Sequence, residues 1–169
     1  MQRSIGSARE PCERLASDRA ARAGDGQPDL PESLYIHVPF CSHKCHYCDF
    51  YSVVDTRDRQ EAFTARLIRE IGSLAPLAGS LRTVFVGGGT PSMLRPSLWQ
   101  RVLDAMDREL DMSAFRDGSG EFTVECNPET VSSELMAVLE ACKWPPSSEM
   151  LCYLDFSVST TGTLAGIKV

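Results

Sequence analysis

The sequence contains no apolar run approaching the roughly 20 residues that a bilayer-spanning helix needs, so no membrane-spanning helix is expected. The first thirty residues have no hydrophobic h-region, so no secretory signal is expected in them. They carry Arg3, Arg9, Arg14, Arg19 and Arg22, but also Glu10, Glu13, Asp18 and Asp25, whereas transit peptides are poor in acids. Basic residues are outnumbered, 17 Lys and Arg against 23 Asp and Glu, and the net charge of −6 argues against a nucleic-acid partner. Histidine is scarce. There are three, His37, His43 and His46, and none follows. Neither G-x-G-x-x-G nor a phosphate loop ending in Lys-Ser/Thr occurs, so neither nucleotide signature applies.

Against these absences stands Cys41-Ser42-His43-Lys44-Cys45-His46-Tyr47-Cys48. Three thiols at C-x3-C-x2-C spacing in one loop suit three irons of a [4Fe–4S] cube, which normally takes four cysteines. With three, one iron keeps an open position for a small molecule, as in catalytic zinc sites. A structural Cys3His zinc site drawing on His37, His43 or His46 is the competing reading, although zinc loops usually pair two Cys-x2-Cys knuckles and only one is present. Cys12, Cys126, Cys142 and Cys152 share no spacing and read as free thiols, so the chain is expected in a reducing cytoplasm.

The chain is long enough for one domain with its own core. Residues 1–31 read as a polar extension with a weak helix near Cys12–Ala23. Leu34–Val38 then reads as a strand ended by Pro39. A helix follows with Asp58 as N-cap, Glu61 three residues on, and Phe63, Leu67, Ile68, Ile71 and Leu74 at helical period, closed by Pro76 and Gly79. Thr83–Val86 is a second strand. A second helix starts at Pro96-Ser97, with Ser97 and Gln100 as a capping box and Leu98, Val102, Leu103, Met106 and Leu110 as its apolar face. Asp117–Gly120 is a turn, Phe122–Glu125 a third strand and Thr130–Cys142 a third helix. Alternating strands and helices predict a parallel sheet with right-handed crossovers. Ligands in such sheets sit beyond the carboxyl ends of the strands. Three motifs lie there: the cysteine loop, Val84-Phe85-Val86-Gly87-Gly88-Gly89-Thr90-Pro91-Ser92, and Glu125-Cys126-Asn127-Pro128-Glu129.

Together with Tyr35-Ile36-His37-Val38-Pro39-Phe40 and Cys48-Asp49-Phe50-Tyr51-Ser52, these motifs resemble the radical S-adenosylmethionine (SAM) superfamily, in its HemN/HemW branch. The resemblance runs from about Leu34 to Cys142. It implies an α/β fold, the N-terminal half of a partial (β/α)6 TIM-like barrel. It assigns Cys41, Cys45 and Cys48 to the cluster, and Tyr35, Tyr47, Gly88, Gly89, Thr90 and Glu125 to SAM. Glycines lacking a Cβ would let backbone approach the ligand closely. For Gly88 and Gly89 the plain alternative is a strand-to-helix turn, for Glu125 an acid near the third helix, and for Tyr35 core packing. His37, His43 and His46 would tune the cluster by hydrogen bonding or, for His43 and His46, stand solvated in the loop. SAM would chelate the open iron and be cleaved by one electron.

HemN-type coproporphyrinogen oxidases have a fourth cysteine where this chain has Phe50, so the resemblance favours the HemW-like branch. This branch implies a haem chaperone that binds a [4Fe–4S] cluster, SAM and haem, with a client protein and an electron donor as partners. An oxygen-independent coproporphyrinogen III oxidase acting on porphyrin precursors is the alternative, so catalysis is left open. The branch's C-terminal His-Asn-x-x-Tyr-Trp motif has no counterpart here, and no Cys-Pro haem-binding dipeptide occurs; haem rests on family identity alone. Residues 32–142 supply three βα units, whereas a complete eight-unit barrel takes about 250 residues. Residues 143–169 read as a divergent tail, with a strand over Leu151–Val158 and no helix after it. The chain therefore reads as truncated, and a non-functional fragment is the third reading.

Overall fold

The computed structural model describes residues 30–141 and the backbone of a strand at 150–154. The expectations for residues 1–29, for Cys12 and Cys142, for the Cys152 side chain and for the segment after Leu154 lie outside the described residues.

Four strands form one parallel sheet: β1 (Ser33–Val38), β4 (Thr83–Gly88), β5 (Glu121–Cys126) and β6 (Met150–Leu154), in the order β1-β4-β5-β6. The first three expected strands are present and one or two residues longer at their ends, and the strand expected over Leu151–Val158 is described only as far as Leu154. The fourth lies at Met150–Leu154, paired in register with Phe122–Cys126. Among the described residues each new strand of this sheet is laid beside the last, so the order does not reverse as it would in a doubly wound sheet. This is barrel-type winding. Two further short strands, β2 (Phe40–Cys41) and β3 (Val53–Val54), pair with each other in parallel.

Strand alternation puts Leu34, Ile36, Val38, Val84, Val86, Phe122 and Val124 on one face. That face is covered by α1 (Gln60–Leu74), α2 (Pro96–Glu109) and α4 (Ser133–Glu140), while α3 (Ser113–Arg116) is a single turn before β5. Ile71 of α1, Leu98, Trp99, Val102, Leu103 and Met106 of α2, and Leu135 and Leu139 of α4 close the core. Burial of each such side chain contributes about 1.5–3 kcal/mol. The opposite face carries Tyr35, His37, Phe85, Gly87, Thr123 and Glu125 at the corresponding positions; Tyr35 and Phe85 are exposed there, while Thr123 is buried.

The helix starts differ from expectation. Asp58 does not cap α1. It takes a positive φ of 47° and its carboxylate accepts a hydrogen bond from Arg95, while Glu61 pairs with Arg101. Arg59 holds the cap position without a side-chain capping bond, and Asp55 does the nearby work by accepting the amides of Arg57 and Arg59 and the Arg59 guanidinium. Ser97 and Gln100 make no capping box. The cap is Arg95, Pro96 at the first position has no N–H to satisfy, and Gln100 turns outward to Asp104. The third helix begins at Ser133 rather than Thr130, because Thr130 is held in a turn on Asn127 and Ser132 caps Leu135.

Asp55 yields a pH prediction. Burial alone would raise its carboxyl, but hydrogen bonds from Arg59 and Arg57 and the Arg59 charge outweigh it and hold the pKa below the usual value. A depressed carboxyl stabilises the fold above its unfolded pKa, and that contribution is lost as pH falls through the folded one. Asp55→Asn should therefore melt below the parent at pH 7, with the gap closing as the pH is lowered through the carboxylate range. Paired thermal melts at pH 7 and at acid pH check this; a constant gap contradicts it.

Candidate functional site

The cysteine loop is pinned at both ends. Phe40, 2% exposed, anchors its start in the core against Phe63, the rings edge-to-face with centroids 5.2 Å apart. The β2–β3 pair closes its base, and the Val53 amide donates to the Pro39 carbonyl at 2.7 Å. Between these pins Cys41, Cys45 and Cys48 are half-buried free thiols, with a turn from the Cys45 carbonyl to the Cys48 amide. Ser42, His43, Lys44, His46 and Tyr47 are exposed around them.

No three His, Cys, Asp or Glu side chains among the described residues gather closely enough to share one metal ion. A cubane makes a different demand, since each thiolate takes its own iron at a separate corner. Three unpaired thiols on one tethered loop fit that donor set. His37 is committed elsewhere, its Nδ1 lying 3.2 Å from the Tyr35 hydroxyl and its Nε2 2.8 Å from the Tyr51 carbonyl. His43 stands beside the Ser42 hydroxyl in the exposed loop.

The glycine motif ends β4 against this loop. Gly88 has a φ of 111°, and its amide donates to the Glu125 carboxylate at 3.3 Å. A Cβ on Gly88 would lie 2.5 Å from the His37 ring, and one on Gly89 would lie 2.7 Å from the Pro39–Phe40 backbone. The room left by these missing side chains is thus filled by the protein's own groups, whereas the sequence pattern pointed to a ligand. Close approach at Gly89 is sealed by two backbone bonds, Gly89 N–H to the Val38 carbonyl and Thr90 N–H to the Phe40 carbonyl. They bring the Thr90 hydroxyl 3.8 Å from Cys41 Sγ, toward which it donates.

Of the residues picked from sequence, Thr90, Gly88, Glu125 and the cysteine loop meet along one rim at the carboxyl ends of β1, β4 and β5. Tyr35 belongs to the open face. It is 53% exposed, not core, and stacks on Phe85 with centroids 6.0 Å apart. Its phenol is pushed above the usual tyrosine value, first by partial burial and then by the negative charge of Glu125. It remains a hydrogen-bond donor at neutral pH. Tyr47, between two cysteines, is 73% exposed.

Sequence reasoning missed Ser92. Its hydroxyl accepts the Asn127 amide at 3.0 Å and meets the Thr130 hydroxyl at 2.5 Å, joining the second motif to the third. A serine directly after a proline gives no signal of such a tie.

Comparison with known proteins agrees with this geometry. The family model described as the radical SAM superfamily matches residues 35–160. The chain is 43% identical over 109 residues to the haem chaperone HemW of Lactococcus lactis, covering 64% of this chain and 27% of the relative. It is 36% identical over 107 residues to HemW of Escherichia coli, with 62% and 27% covered. It is 34% identical over 124 residues to the mouse mitochondrial radical S-adenosyl methionine domain-containing protein 1, with 69% and 27% covered. Among solved structures it resembles the coproporphyrinogen III oxidase HemN of Escherichia coli, described as a radical SAM enzyme, with a TM-score of 0.63 and 25% identity over 80% of this chain and 29% of that one. The chain thus spans about a quarter of the length of these relatives, and its parallel sheet is part of a TIM-like barrel. No helix among the described residues is long and apolar enough to cross a membrane. With its thiol loop, glycine rim and strand order all in place, the chain belongs to the radical SAM superfamily.

Proposed function

We propose that this chain is the cluster- and SAM-binding part of a HemW-like haem chaperone. The observation that carries the reading is the tethered loop with three free thiols, set against the Gly88–Thr90–Glu125 rim. Cys41, Cys45 and Cys48 would hold a [4Fe–4S] cluster. Gly88, Gly89, Thr90 and Glu125 would face SAM, with Tyr35 on the open sheet face and Tyr47 on the loop beside it. Once bound, cluster and SAM would supply the family's one-electron chemistry, which belongs to the cofactors. This chain's residues bind, orient and shield. Glu125, already accepting from Gly88, has lone pairs left for hydroxyl or amine donors. Residues 32–142 would form the binding core, residues 1–31 an extension, and residues 143–169 a divergent tail that adds β6 to the core sheet. Free thiols favour a reducing compartment such as the cytoplasm. Haem, a haem-accepting client and an electron donor are the expected partners.

The likeness to HemN favours a second reading, a coproporphyrinogen oxidase. Position 50 speaks against it. It holds a phenylalanine, 64% exposed, where the oxidase pattern carries a fourth cysteine. The third reading, a fragment without function, predicts neither cofactor.

The test is titration of the anaerobically reconstituted chain. Added SAM should change the electron paramagnetic resonance signal of the reduced cluster, added haem should bind, and coproporphyrinogen III, added separately, should keep its propionate carboxyls. A signal indifferent to SAM sinks the SAM site, and decarboxylation of coproporphyrinogen III would favour the oxidase.

A further inference from the structure

His37 touches the segment after Cys48, the glycine motif and Tyr35 together. It stands on β1 opposite Gly87 of β4, one step before the Val38–Gly88 pair. Its Nε2 lies 2.8 Å from the carbonyl oxygen of Tyr51, three residues beyond Cys48. A carbonyl only accepts, so Nε2 must carry the proton. In the neutral imidazole Nδ1 is then the acceptor, and the Tyr35 hydroxyl 3.2 Å away is its donor. The ring sits where a Gly88 side chain would be. Its place is therefore set by three elements, and its two nitrogens have fixed and opposite roles.

We propose that His37 is a positioning residue, a clamp that ties the far end of the cysteine loop to the sheet and, through the Nε2–H tautomer, turns the Tyr35 hydroxyl inward as a donor. With its proton committed to His37, Tyr35 can only accept from any further group. At the carboxyl end of the open face the phenol oxygen and the Glu125 carboxylate are then both acceptors, and this end selects a ligand bearing hydroxyl or ammonium donors. The clamp itself does not depend on the proposed cofactors; its effect on cluster retention does.

The experiment uses the full apo chain first. Nitrogen NMR of the His37 ring should show Nε2 protonated and Nδ1 bare. His37→Phe keeps an aromatic ring but loses both bonds. His37→Gln places an amide N–H where Nε2 was. Tryptic cleavage after the exposed Lys44 should accelerate about fivefold in His37→Phe, the equivalent of one net hydrogen bond of about 1 kcal/mol. In His37→Gln it should stay within about twofold of the parent, and cleavage after Arg108 in α2 should not change in either. After reconstitution, iron loss to a chelator should follow the same order. An Nδ1–H tautomer, parental cleavage in His37→Phe, or no rescue by His37→Gln would overturn the clamp. If His37→Phe fails to fold, the NMR of the parent still decides. If the parent takes up no cluster, the cofactor reading fails while the NMR and proteolysis arms still judge the clamp.

Discussion

Cys45→Ser should abolish cluster binding. The parent, reconstituted without oxygen from iron and sulfide, should turn brown and carry about four irons and four sulfides per chain, as a cubane requires. The variant should carry none above background. A serine oxygen is a hard donor, whereas these clusters are held by soft thiolates. Cys45 is half-buried on the loop and outside the core, so the apo variant should unfold within about 0.5 kcal/mol of the apo parent, as surface changes do. That control separates a lost ligand from a lost fold. Recovery of one zinc and no sulfide from the parent would refute the cubane, and four irons retained by Cys45→Ser would show that this thiol is not a ligand.

The second large effect is expected at Gly88. An alanine there would be held at a φ of 111°, outside the region open to side chains, at a cost of about 1–3 kcal/mol. Its Cβ would also meet the His37 ring at 2.5 Å, and moving the ring would break the bond to Tyr51, for about 1 kcal/mol more. Gly88→Ala should thus lower the stability of the apo chain by about 2–4 kcal/mol. Gly118, in the turn between α3 and β5, has a φ of 80° and serves as a comparison for strain without the imidazole. Denaturant unfolding of both variants checks this. The two causes are separable: in a His37→Ala background the ring is gone, and the cost of Gly88→Ala should shrink toward the strain alone. Equal costs in both backgrounds would show that the ring does not occupy that space.

These two residues show what the sequence made legible. Cysteine spacing and a run of glycines after an apolar strand are local signals, and the structure places both at the carboxyl end of the sheet. The strands were readable for the same reason, since Leu34–Val38 and Thr83–Val86 are short apolar runs bounded by turn residues. What was not readable depends on contacts between distant segments. Asp58 matches a helix cap by pattern, but Arg95, 37 positions away, draws its carboxylate off. The β2–β3 pair consists of two residues on each side, too short for any periodicity to appear. Gly88 looked like a space kept for a ligand, yet its neighbour is a histidine from another strand, and only the parallel register of β1 and β4 brings the two together. Ser92 and Asn127 belong to separate motifs, and nothing in either announces the bond between them.

The short β2–β3 clasp has a consequence for how the protein could live with and without metal. Small zinc modules collapse when stripped, because the ion is their core. Here the cysteine loop hangs outside the hydrophobic core of the described residues, fastened like a purse by its drawstring. Emptying the purse should leave that core packed, so a chain stripped of the proposed cluster by oxygen would be a candidate for refilling in place instead of for destruction.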